Sequence, residues 1–280
     1  MKLALNVNDN HLEIEISANA RLLDVLRRAG YFGVKHGCDD GTCGACAVLI
    51  APHAKAPGKV VNSCILLAAQ ADGMFITTIE GLGGVQQHGW KGTEPLHALQ
   101  QAFVETGAIQ CGYCTPAQIL AAKALLDREP NPTEAQVRDA LAGVLCRCTG
   151  YVKPVAAVLQ AASNLNSQIQ NPKPDSQSPL SNLPSPDNDE TLTPTRALPK
   201  LVVAPTGTER HVVGKPEIKV DAVKLAQGKP AFTGDFELRG MLHAKILHSP
   251  LAHARIKRID ASRARALPGV AAVLTWQDIP

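Results

Sequence analysis

Cys38, Cys43 and Cys46 are separated by four and two intervening residues, and Cys64 follows further along the chain. That spacing is the one used to hold a plant-type 2Fe-2S centre. Each iron of such a centre takes two thiolates, so four are needed, and the loop carrying three of them must bend inward. Gly37, Gly41 and Gly44 suit the bend, because glycine accepts unusual dihedrals and lets backbone N–H groups approach the sulfurs. A zinc site is the alternative, but zinc sites ordinarily use two short-gapped pairs rather than a three-cysteine glycine-rich loop. A second set, Cys111 with Cys114 and Cys146 with Cys148, has gaps of two residues and one. On spacing alone a second cluster and a zinc site are equally open for it. The first set tips the balance, since a redox centre needs somewhere to pass its electron.

The whole chain fits this reading. Its 280 residues are too many for one ordinary domain. A hydrophobic share of 45% against 19% charged residues indicates a folded chain with real cores. With 28 Lys and Arg against 25 Asp and Glu, the net charge of +3 is too small to point to nucleic acid. No run approaches the roughly 18 apolar residues of a membrane span, so no membrane partner is expected. Nor does a basic segment followed by an apolar run open the chain. Eight cysteines without an export signal read as metal ligands of a cytoplasmic protein rather than as disulfides.

The elements that must position these cysteines can be read from periodicity. Leu3, Leu5 and Val7 alternate, Asn8, Asp9 and Asn10 make a polar turn, and Leu12, Ile14 and Ile16 alternate again, which predicts a hairpin. Leu22, Val25, Leu26 and Ala29 fall at helical spacing and Gly30 ends the run. Apolar runs at Ala47 to Ile50 and Met74 to Ile79 would complete a sheet, giving a β-grasp, ferredoxin-like domain over 1–82. Over 83–164 the period becomes helical: Leu96, Leu99 and Phe103 share a stripe, and Thr115 with Pro116 reads as cap and first turn. Thr133 with Gln136 makes a capping box, and Val155, Val158, Leu159 and Ala162 supply a fourth helix. Residues 165–204, rich in Pro, Ser, Asn, Gln and Asp, read as a disordered linker. Beyond them, a helix near Val220 to Ala226, strand-like runs at 241–247 and 270–275, and a short helix over 261–267 form a further α/β piece from 205 to 280. The predicted class is α+β.

Four segments in order, Val34 to Cys38, Gly41 to Cys46, Gln110 to Pro116 and Cys146 to Tyr151, resemble the two-cluster iron-sulfur module of the xanthine oxidase family of molybdenum hydroxylases. Val213-Gly214-Lys215, Gly228-Lys229-Pro230, His248-Ser249-Pro250, His253-Ala254-Arg255 and Leu267 to Val270 are similar to the start of that family's molybdenum-binding part. No flavin domain lies between the two modules, as in fused xanthine dehydrogenase-like and aldehyde oxidoreductase-like forms. The resemblance implies an oxidoreductase in which a water-derived oxygen is added to an electron-poor carbon of a heterocycle or aldehyde. Two electrons then leave singly through two 2Fe-2S clusters. It also implies a molybdopterin, in its cytosine dinucleotide form, close to the cluster of Cys111, Cys114, Cys146 and Cys148. Cys38, Cys43, Cys46 and Cys64 would hold the outer one, and Gln110 and Cys148 match pterin-contacting positions.

The family's catalytic glutamate and substrate pocket fall outside these residues, so no catalytic residue is expected here. The expected partners are the rest of the molybdenum-binding domain or subunit, and a flavin subunit or another external acceptor. A purine-like N-heterocycle is the expected substrate and an aldehyde the runner-up. A stand-alone ferredoxin-like carrier and a zinc-stabilised interaction protein are the competing functions. Lys35 and Arg147 are expected to be solvated, His36 to be a surface residue, and Gly143-Val144, where the family often has asparagine, to loosen one local hydrogen bond.

Overall fold

A computed structural model describes residues 1–83, 95–170, 217–236 and 238–278. The chain divides into two compact units, Met1–Asp235 and Phe236–Pro280. The first is α+β. β1 (Lys2–Val7) and β2 (Asn10–Glu15) pair antiparallel, with Leu5 opposite Leu12. Asn8 and Asp9 turn the hairpin with φ of 49° and 65°, the left-handed conformation that these two residue types tolerate best. β3 (Ala47–Ala51), β4 (Lys59–Asn62) and β5 (Phe75–Thr77) complete a sheet of order β2-β1-β5-β3-β4, in which β1 and β5 run parallel. The crossover that a parallel pair requires carries α1 (Leu22–Arg28), whose Leu22, Leu23, Val25 and Leu26 are buried in one core with Leu3, Leu5 and Val7. Gly30 ends the helical run at φ +93°.

The helical part has the four expected helices, α2 (Ala98–Glu105), α3 (Thr115–Leu126), α4 (Glu134–Leu141) and α5 (Val152–Gln170). Within α3 every residue but Lys123 is buried, which makes it the central helix. Leu99, Phe103, Val137, Leu141, Val155 and Val158 close on it. The Thr133–Gln136 capping box is present. Two expectations are corrected. The residue that caps α3 is Cys114, and Thr115 is already inside the helix. The linker does not start at 165: α5 continues to Gln170, because Leu165 extends the apolar stripe and Asn166 donates to the Pro130 carbonyl. Residues 171–216, on which the rest of the expected linker falls, lie outside the described residues.

The expected helix near 220–226 is present as α6 (Ala222–Ala226). Its Ala222, Leu225 and Ala226 join the helical core, so residues 217–235 pack as part of the first unit. In the second unit, α7 (Ser262–Arg265) lies where a helix is expected. The runs at 241–247 and 270–275 are not strands: among the described residues neither finds a partner, and a strand exists only as part of a ladder.

Candidate iron-sulfur centres

The first cysteine set lies on the loop between α1 and β3 and on the turn after β4. Asp39, Gly41 and Gly44 all have positive φ, at 65°, 82° and 68°, and this winds the loop inward. Asn62 ties the turn to it by donating to the Gly41 carbonyl, and the buried Ser63 hydroxyl donates to the Cys46 carbonyl. The Cys43 N–H donates to Cys38 Sγ at 3.4 Å, the type of contact that stabilises a thiolate. The Asp40 carboxylate pulls the Cys38 thiol upward, but the N–H groups of Cys43 and Asp40 and the Thr42 hydroxyl outweigh it and bring the thiol down to about 7. Cys64, by contrast, is pushed up to about 11 by burial and by Cys46 beside it.

The second set is gathered at helix ends. Cys114 caps α3, Cys111 lies just before it, and Cys146 and Cys148 occupy the turn between α4 and α5. Tyr151, at φ 66°, shapes that turn: its hydroxyl accepts the Cys146 N–H at 2.8 Å and donates to the Val144 carbonyl. The Thr149 hydroxyl lies 3.1 Å from Cys146 Sγ. Burial works against the Cys146 thiolate, yet that hydroxyl and the N–H groups of Thr149 and Cys148 hold its pKa below the ordinary thiol value. Burial and the neighbouring Cys146 push Cys114 up, so its proton leaves when metal binds.

Within each set the thiols act on one another: Cys38 on Cys43, Cys46 and Cys38 on Cys64, Cys148 and Cys146 on Cys111, and Cys146 and Cys111 on Cys114. Four thiols gathered in each set match the four thiolates that a 2Fe-2S unit takes. Gln118, one turn beyond Cys114 in α3, is buried and its amide has no partner among the described residues. Helical side chains lean back toward the preceding turn, so this amide is available on the side of Cys114.

The two loops touch. The Leu145 N–H donates to the Cys43 carbonyl at 2.9 Å, linking a ligand of the first set to the neighbour of Cys146. Gly44 lies flat against Gly143, where a Cβ would come within 2.0 Å of the Gly143 carbonyl oxygen. The Gly143-Val144 position thus contributes backbone to the contact. The Tyr113 hydroxyl donates to the His36 carbonyl. Gln110, Cys111 and Cys148 are exposed, whereas Cys46, Cys64 and Cys114 are buried.

Two side chains depart from expectation or escaped it. Lys35 is not solvated: it is 1% exposed and its ammonium meets Asp235 at 2.9 Å, because the segment around Asp235 folds over it. Asp235 itself carried no signal in the sequence. His36 is exposed and paired with Asp39, and Arg147 is exposed.

Family models agree with these centres. Residues 5–69 match a 2Fe-2S iron-sulfur cluster binding domain, 78–159 a [2Fe-2S] binding domain, and 227–280 the a/b hammerhead domain of aldehyde oxidase and xanthine dehydrogenase. The nicotinate dehydrogenase small FeS subunit of Eubacterium barkeri is 48% identical over 56% of this chain and 92% of its own length. The chain belongs to the xanthine oxidase family of molybdenum hydroxylases. The aldehyde oxidoreductase of Megalodesulfovibrio gigas is 36% identical over 98% of this chain but only 26% of its own length. The crystal structure of the aldehyde oxidoreductase from Desulfovibrio desulfuricans ATCC 27774 superposes with a TM-score of 0.70 at 31% identity, covering 100% of this chain and 27% of that one. The chain thus spans about a quarter of these two aldehyde oxidoreductases. It is the iron-sulfur, electron-transfer portion of a molybdenum hydroxylase, an oxidoreductase whose cofactors are 2Fe-2S clusters and molybdopterin with molybdenum.

Proposed function

We propose that this chain takes electrons one at a time from a molybdopterin centre at the Cys111, Cys114, Cys146 and Cys148 cluster and delivers them to an external acceptor through the Cys38, Cys43, Cys46 and Cys64 cluster. The observation that carries the order is exposure. Gln110, Cys111 and Cys148 lie together on an open face, where a pterin held by another domain or subunit could reach them. The Gln110 amide both donates and accepts, as a pterin edge requires. The molybdopterin, when bound, supplies the two-electron oxidation of the substrate. This chain's own residues hold the clusters, fix their separation and keep water from the buried thiolates. The Gln118 amide, without a partner among the described residues, would donate to the second cluster and favour its reduced form.

Further parts of this reading are the β-grasp and four-helix domains at 1–82 and 83–164, the linker to 204 and the molybdenum-domain start from 205. The cytosine dinucleotide form of the pterin, a molybdenum-binding partner with a flavin subunit or other acceptor, and a cytoplasmic setting belong to it as well. An N-heterocycle is the favoured substrate, in keeping with the nicotinate dehydrogenase relative. An aldehyde is the second reading, because the likeness to an aldehyde oxidoreductase runs through 98% of the chain.

The test is metal and sulfide analysis of anaerobically purified protein, with electron paramagnetic resonance after dithionite. Two distinct 2Fe-2S signals are expected. One signal accompanied by zinc would reduce the second set to a structural role. In the assembled enzyme, Gln110→Ala should slow reduction of both clusters by substrate while leaving reduction by dithionite unchanged; equal rates with substrate would remove Gln110 from the pterin site.

A further inference from the structure

Asp235 stands 200 positions beyond Lys35, yet the two form an ion pair at 2.9 Å with side chains 3% and 2% exposed. The carboxylate is fully engaged. Its other oxygen takes the Arg27 guanidinium at 3.2 and 3.3 Å, and the N–H groups of Ala231 and Phe232 donate to the oxygen that Lys35 uses. Arg27 also donates to the Gly234 carbonyl at 2.6 Å. Around this lock the segment touches both cluster-bearing parts. On the sheet side, Gly228 packs so closely on Gly33 and Ile79 that a Cβ would come within 2.9 Å of Gly33 Cα and 2.2 Å of Ile79. On the helical side, Gln100 donates to the Ala226 carbonyl at 3.1 Å, and Leu225 fills the space where Gly112 would carry a Cβ. Phe232 spans the two: its ring lies 4.8 Å from the Lys35 ammonium and meets the Tyr113 ring edge-on at 5.0 Å. Lys35 enters the first cluster loop, and Tyr113 lies between Cys111 and Cys114 in the second.

We propose that residues 217–235 are a clasp, locked by Asp235 in the Arg27–Lys35 socket, that fixes the two cluster loops against each other and so sets the separation across which electrons pass. Breaking one side of a buried ion pair leaves an uncompensated charge, so the lock resists opening.

The inference rests on both cysteine sets holding clusters, which iron and sulfide counts establish separately. The experiment compares Asp235→Asn, Asp235→Glu and the parent in the full chain, by hydrogen exchange and by the magnetic interaction between the two reduced clusters. In Asp235→Asn, exchange should rise at least about tenfold in 217–235 and also in 34–46 and 110–116, and the spin–spin splitting should broaden. Asp235→Glu should restore part of both. Looser exchange in 217–235 with unchanged cluster loops and unchanged splitting would overturn the clasp, because the segment would then only ride on the surface. If Asp235→Asn fails to load iron, Phe232→Leu leaves the ion pair intact while removing the ring between Lys35 and Tyr113, and the same two readouts decide.

Discussion

Tyr113, midway between two cysteines of the second set, donates its hydroxyl to the carbonyl of His36, two residues ahead of Cys38. One side chain therefore joins the two cluster loops, and Tyr113→Phe isolates its contribution. The variant should lose about 1 kcal/mol of stability, the worth of one hydrogen bond. Equilibrium unfolding in denaturant measures this, and iron content should stay at the parent level.

Two separate thiol sets make ligand removal selective. Cys64→Ala should abolish the first cluster's paramagnetic signal and leave the second intact, and Cys146→Ala should do the reverse. Loss of both signals in either variant would mean that the two sets do not bind independently.

Gly44 combines φ of +68° with a carbonyl oxygen 2.0 Å from where its Cβ would lie. An alanine there must strain the backbone by about 1–2 kcal/mol and also push Gly143 away. Gly44→Ala should thus cost more than about 2 kcal/mol and lower occupancy of both clusters, read from iron per chain. Gly143→Ala is the control, since its added Cβ meets open space.

His97 caps α2 by accepting the Leu99 N–H at Nδ1, which only the neutral ring can do. Burial first, and then the Lys123 cation, hold its pKa below the ordinary value, with Asp127 opposing. The unfolded chain therefore takes up this proton more readily. Stability should decline as pH falls from about 6.5, by at most about 1.4 kcal/mol per pH unit, and level off below the folded pKa. Denaturant titrations at pH 7 and 5.5 would show the slope. His97→Asn, which keeps an acceptor without titrating, should flatten it.

The two cysteine sets stand out in the sequence because their spacings are short, and the helices because their apolar stripes repeat locally. β4 escaped notice since its Val60 is exposed and its Val61 only half-buried, leaving no alternation. The Thr115-Pro116 pair reads as a cap, but the cap position is taken by Cys114. Lys35 and Asp235 could not be read as partners, because nothing local marks a contact across 200 positions. A lysine beside a glycine-rich loop looks solvated until the segment that buries it is in place. The unpaired runs at 241–247 and 270–275 failed for a related reason: alternation signals a capacity for pairing, and a ladder also needs a neighbour.

The link from Leu145 to Cys43 is a bond between two peptide groups. Neither its donor nor its acceptor belongs to a side chain, so an alanine at 145 would keep it. A proline at 145, which lacks the N–H, would cut it. The junction between the two redox loops is thus written into the path of the main chain, and trimming the side chain at 145 would leave it unseen.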